Sequence, residues 1–206
     1  SDLDGACGVH IAAMILAIYD LAKPSALHEM SHRKSGVAAT VWQAFQHTYF
    51  SGVNPEEWGE LMDGLDLPLF LTAKYGMQDN ADGHALEWLM RGGDLVALAF
   101  ASVKHRRTKH WALAVGVEGA AVGKVHTPDT ILLLDPSASE PGFAPFNARL
   151  RLPTSGPGSR RAPPNLPKPS EDGKRKPVHW LYEAAEWNAE EVRLLAAVRL
   201  QLKVAA

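Results

Sequence analysis

Cys7 is the only cysteine in the chain. It stands in Asp4-Gly5-Ala6-Cys7-Gly8, at the head of an apolar run from Val9 to Ala22 that only His10 and Asp20 interrupt. A single thiol cannot form an internal disulfide, so packing or reactivity has to account for it. If the run is a helix, Cys7 lies at its N-terminal edge, where unpaired N–H groups and the macrodipole favour an anion. A nucleophilic cysteine also needs a base and a third group to orient that base. Of the nine histidines, His110 opens the apolar segment Lys109-His110-Trp111-Ala-Leu-Ala-Val-Gly116, directly after Arg106-Arg107-Thr108. A strand opening leaves an imidazole at the rim of a sheet, where it can face a helix N-terminus. Asp135 ends the segment Thr130–Asp135 ahead of Pro136, and a carboxylate there can accept from the second imidazole nitrogen and fix its tautomer. Together these residues could attack a carbonyl through sulfur. Each also has an ordinary reading: Cys7 as a small buried hydrophobe, Asp135 as a turn residue before proline.

A second pattern competes. His28-Glu29-Met30-Ser31-His32 matches H-E-x-x-H, which on a helix puts two imidazoles on one face to hold zinc, with the glutamate as general base. Three features weigh against it. The segment starts at Pro24 and breaks by Gly36, Arg33 follows the second histidine at once, and no downstream Glu or His stands at a familiar third-ligand spacing. His10 lies one turn past Cys7 and reads as a partly buried, satisfied histidine, whereas His84 and His105 read as surface residues. His179-Trp180 repeats the His110-Trp111 pair without further support. The six tryptophans (42, 58, 88, 111, 180 and 187) read mostly as core, with Trp111 a candidate flank of a substrate cleft. Neither a P-loop nor a dinucleotide fingerprint is present, and no cofactor is implied.

The elements that must position these residues follow from periodicity. Gly8–Ala22 reads as a buried helix, Pro24–Met30 as a short one, and Val37–Phe50 as another with apolar residues at helical spacing. Asn54-Pro55-Glu56-Glu57 predicts a helix start, with Asn54 as N-cap, and the helix should stop near Gly64. Leu67–Ala73 predicts a strand and Asp82–Arg91 a helix closed by Gly92-Gly93. Asp94–Ala101, His110–Val117 and Thr130–Asp135 predict buried strands. Val192–Val204 alternates apolar with polar residues and predicts a long strand at a sheet edge. Helices come first and strands afterwards, an α+β signature.

At 206 residues, 46% of them hydrophobic, the chain can bury a core as a single domain spanning 1–206. Ser155–Pro177 stands apart within it, with six prolines, three glycines and six Lys/Arg against two acids, and predicts a mobile loop. The net charge of −2 argues against a nucleic-acid partner. The Val9–Ala22 run is too short for a membrane span and has no basic segment before it to make it a signal peptide. One cysteine suits a reducing compartment, so the expected location is the cytoplasm or that of a secreted or translocated effector.

The ordered set resembles a known family. Cys7-Gly8 heads a buried helix, and further helices and a strand follow. His110-Trp111 then opens the next strand, and Leu134-Asp135-Pro136 comes after it. The order is similar to the papain-like cysteine peptidases, closest to the bacterial branch that cuts double-glycine (bacteriocin) leader peptides, over about residues 4–140. The resemblance implies a papain-like α+β fold, with the nucleophile helix packed among other helices on an antiparallel sheet. It implies Cys7 as nucleophile, His110 as base and then acid, and Asp135 as orienting residue. The backbone N–H of Cys7 would be one oxyanion donor, and the partner would be a peptide or protein substrate. Ser1 stands where the family has a glutamine six residues before the cysteine, and Ala6 replaces the acid often found beside it. These departures leave deamidation or another acyl transfer open, as well as an inactive peptide-binding domain. The zinc peptidase stays as the remaining alternative.

Overall fold

Twelve residues that begin at Cys7 and carry almost no polar side chain form the first helix, α1 (Cys7–Ile18). It stops four residues short of the sequence expectation because Asp20 takes a left-handed conformation (φ 54°). Leu21 N–H then bonds to Leu16 C=O at 2.8 Å and Asp20 N–H to Ala17 C=O at 3.1 Å, a Schellman ending. In this computed structural model, residues 4–105, 109–123, 125–153, 177–186 and 188–203 are described. The expected loop 155–177 lies outside them except for Pro177, as do Ser1 and the Arg106-Arg107-Thr108 segment.

Four more helices follow: α2 (Pro24–His28), α3 (Val37–Phe45), α4 (Pro55–Asp63) and α5 (Ala81–Arg91). The start of α4 is set locally: Asn54 Oδ1 accepts the Glu57 N–H at 2.8 Å, and two acids occupy the first turn. The strands are β1 (Leu69–Tyr75), β2 (Leu95–Ser102), β3 (Lys109–Val122), β4 (Val125–Leu134), β5 (Ala148–Arg151), β6 (Trp180–Ala184) and β7 (Glu190–Leu202). Every pairing is antiparallel, in the order β1-β7-β2-β3-β4-β5-β6, and β6 pairs again with β7.

That last pairing overturns the papain-like expectation of helices packed on an antiparallel sheet. Strands β2 to β7 close into a six-stranded antiparallel barrel, with β1 added outside it. The closing element is β7, expected at an edge. Its thirteen residues are long enough to take two partners on one side: β6 along Glu190–Val192 and β1 along Ala196–Leu202, while β2 runs along the other side. Ala99 and Phe100 of β2 face Ala196 and Leu194, so Leu195 is an extra residue on β7 and bends β7 against β2. Alternation along Val192–Val204 reports which face each residue takes, but says nothing of how many strands lie alongside.

Closure divides the core in two. Alternate residues of six strands, including Val96, Leu98, Ala112, Ile131, Leu150 and Trp180, meet inside the barrel, and α5 packs into the same cluster. The opposite faces of β2, β3 and β7 carry Ala97, Leu113, Val198 and Leu200, which pack outward against α1, α3 and α4. Strand β2 is therefore buried on both faces along all eight residues. Trp111 belongs to the outer core. It is 4% exposed, lies 4.9 Å ring to ring from Trp58, and donates to Val53 C=O, so it flanks no cleft.

Candidate functional site

The start of α1 is threaded through a tight gap. A Cβ built on Gly5 would come within 2.5 Å of the Tyr49 carbonyl oxygen and 2.7 Å of the Phe50 carbonyl carbon. One built on Gly8 would come within 2.3 Å of Val53 Cγ1. Both approaches are closer than real Cβ contacts allow, so Gly5 and Gly8 let the segment Tyr49–Val53 lie against the helix start. The indole of Trp58 then donates to Gly8 C=O at 2.9 Å. Between these glycines Cys7 is held with 2% of its surface exposed.

On β3, Trp111 and Leu113 face the outer core and Ala112 and Ala114 the barrel interior. Alternation therefore turns His110 towards the interior side, at the strand's opening. The β3–β4 register pairs Leu113 with Leu134. Asp135, one residue on, thus reaches His110 across the diagonal of the pair. The three residues expected to act together do lie together. His110 Nδ1 is 3.3 Å from Cys7 Sγ, and His110 Nε2 donates to Asp135 Oδ2 at 2.6 Å.

Four further residues complete the cluster, and sequence reasoning singled out none of them for it. Tyr182, brought over on β6 by the closing of the barrel, donates its hydroxyl to Asp135 Oδ2 at 2.7 Å. Ser137 N–H donates to Asp135 Oδ1 at 2.7 Å, and its hydroxyl lies 3.5 Å from Cys7 Sγ. Asn147 grips the turn from behind: its Oδ1 accepts from Asp135 N–H at 2.7 Å, and its Nδ2 donates to the carbonyls of Asp135 at 2.8 Å and Ser139 at 3.1 Å. Phe100 sets its ring edge-on to the imidazole at 5.3 Å. Only the Ser137 contact had a local signal, since an aspartate commonly accepts from the N–H two residues on.

Electrostatics follow from these contacts. Burial pulls His110 down, but the hydrogen bonds to Asp135 and Cys7 and the charges behind them outweigh it and push it up to about 10. Burial likewise pushes Asp135 up, and the hydrogen bond and charge of His110, then Tyr182 and Ser137 N–H, override it and hold the carboxyl below its ordinary value. The Tyr182 phenol is pushed up by burial and by the Asp135 charge, so it stays protonated and donates. These contacts favour the charged form of an imidazole that lies between a carboxylate and a sulfur. The arrangement can support attack by sulfur at a carbonyl and proton delivery to a leaving group.

The competing motif is arranged differently. Helix α2 ends at His28, Glu29 leaves helical geometry, and a 3₁₀ turn takes up Met30–His32. Glu29 pairs with Arg33 at 3.2 Å, and no cluster of three His, Cys, Asp or Glu that could hold a metal occurs among the described residues. His10, pulled down by burial, lines a groove of about 620 Å³ that opens one turn along α1 from Cys7, with Met14, Leu27, Trp42, Tyr49 and Glu140. His179 pairs with Glu191 at 2.7 Å, away from the cluster. No described helix is long and apolar enough to cross a membrane. In comparison with known proteins, no protein-family model matches the chain and no curated protein matches it.

Proposed function

We propose that this protein is a cysteine peptidase, an enzyme that cleaves a peptide or protein amide bond through an acyl-thioester on Cys7. The observation that carries the reading is the unbroken contact from Cys7 Sγ through both nitrogens of His110 to Asp135. It joins three residues far apart in sequence, with His110 Nδ1 3.3 Å from the sulfur. Transfer of the Cys7 proton to His110 Nδ1 gives the thiolate, whose sulfur attacks the carbonyl carbon; the C–S bond forms and the carbonyl π pair moves to oxygen. The Cys7 N–H at the head of α1 is the first donor to that oxyanion. His110 Nδ1–H then protonates the leaving nitrogen as the C–N bond breaks. Water, deprotonated by His110, attacks the thioester and releases the acid and the thiol. The largely apolar groove beside His10 is the surface proposed to receive the peptide, with Glu140 its one acidic wall residue.

The test is alkylation by iodoacetamide near neutral pH, mapped by mass spectrometry, on the wild-type protein and on His110→Ala, with a chelator as control. Cys7 is expected to react at least about tenfold faster than a simple thiol, to lose that advantage in His110→Ala, and to ignore the chelator. Labelling at the rate of a simple thiol would refute the assignment, and a chelator-sensitive hydrolysis would favour zinc chemistry instead.

A further inference from the structure

Among the described residues two polar side-chain groups touch the sulfur, and only one, His110, has a role in the proposed acyl transfer. The other is the Ser137 hydroxyl, 3.5 Å from Cys7 Sγ. We infer that Ser137 Oγ–H is the second oxyanion donor of the acyl-transfer site, an inference that rests on the thiol acyl-transfer reading. The oxyanion forms two bonds from Sγ, so a hydroxyl at this distance from the sulfur lies within reach of the hydrogen bond of about 2.7–3.1 Å that the intermediate needs.

Placement and rigidity both fit the role. Of the two groups on the sulfur, His110 is nearly buried, with 12% of its side chain accessible, whereas Ser137 is exposed. A carbonyl that approaches Cys7 from solvent therefore comes in past Ser137. Ser137 is also held in place before any substrate arrives. Its N–H is bound to Asp135 Oδ1, and Asn147 clasps both backbone polar groups of Asp135 together with the Ser139 carbonyl. A donor fixed in this way loses little reorganisation energy when charge develops, which is the condition for strong electrostatic stabilisation. Before attack the Ser137 hydroxyl faces the sulfur at 3.5 Å. On attack its hydrogen turns to the new oxyanion, while the proton stays on Oγ throughout. The C–S bond forms and the carbonyl π pair becomes the oxyanion lone pair, which returns to rebuild C=O as the C–N bond breaks.

The experiment compares two reactions of the same thiol. Acylation by p-nitrophenyl acetate passes through a tetrahedral oxyanion, and alkylation by iodoacetamide is a displacement at saturated carbon that forms none. Ser137→Ala is expected to lower the ratio of acylation rate to alkylation rate by about 100- to 1000-fold. Ser137→Thr, which keeps a hydroxyl, is expected to hold that ratio near the wild-type value. A ratio unchanged in Ser137→Ala, or lost equally in both variants, overturns the donor role. Wild-type alkylation no faster than that of a simple thiol, or unaffected by His110→Ala, overturns the underlying reading and the donor role with it. The alkylation rate of each variant also reports whether the Cys7–His110 pair is intact, which separates misfolding from loss of a donor.

Discussion

Replacing Asp135 with Asn removes one charge and keeps the shape. In the folded protein, Oδ2 accepts from His110 and Tyr182, and Oδ1 accepts from the Ser137 N–H. An amide has one oxygen and one NH2 group, so one of these faces must set donor against donor. The rise of His110 from 6.5 to about 10 represents roughly 5 kcal/mol of preference for the imidazolium at about 1.4 kcal/mol per pH unit. Asp135 supplies the largest favourable part and burial opposes it. In Asp135→Asn the opposing burial stays and only the Cys7 contact remains to offset it. A loss of about 3 kcal/mol then lowers the ratio of charged to neutral ring roughly a hundredfold, a shift of about two pH units. The assay is NMR titration of the His110 ring from about pH 5 to about pH 11. The wild-type ring is expected to hold its proton up to about pH 10, and the variant ring to lose it about two pH units lower. A ring that titrates at the same pH in both proteins, or near 6.5 in the wild type, would show that Asp135 does not charge the imidazole.

The same linkage sets how stability varies with pH. His110 has a raised pKa in the folded state, so its contribution is full below about 6.5 and is lost as pH rises towards about 10. Asp135 is depressed, so its contribution is present above the ordinary value of 3.8 and is lost as pH falls below it. Thermal melts should therefore show Tm falling across both windows, with the alkaline decline much reduced in Asp135→Asn. Tyr182→Phe deletes one donor to a buried carboxylate, a loss of about 1.5–3 kcal/mol that should lower Tm by about 3–12 °C; an unchanged Tm would show the contact to be worthless. Gly8→Ala drives a methyl group to 2.3 Å from Val53 Cγ1 and should cost about 1–3 kcal/mol in denaturant melts. Val53→Ala in the same chain should recover part of that loss, and strict additivity of the two changes would refute the contact.

Local chemistry settled a good deal of this molecule by itself. Asn54 caps α4 because its side chain reaches a backbone N–H three residues away, and the apolar length of α1 could only be buried. The strand-opening position of His110 and the strand-ending position of Asp135 follow from local patterning, as does the solitary thiol at a helix head. Each of these depends on neighbours within a few residues, which is the range that propensity and periodicity report. Closure of the sheet lay beyond that range. The residues of β7 show the same alternation whether one strand or three lie beside them, so β6 and β1 on its shared side, and the barrel they produce, could not be read from it. The short strand β5 (Ala148–Arg151) gave too brief a pattern to detect. Tyr182, Asn147 and the Ser137 hydroxyl join the site through contacts that span up to 130 residues, and their types alone mark none of them as functional. The chain thus marks Cys7, His110 and Asp135 as candidates by local position. The barrel decides how close they stand, how strongly the imidazole is charged, and which hydroxyl waits beside the sulfur.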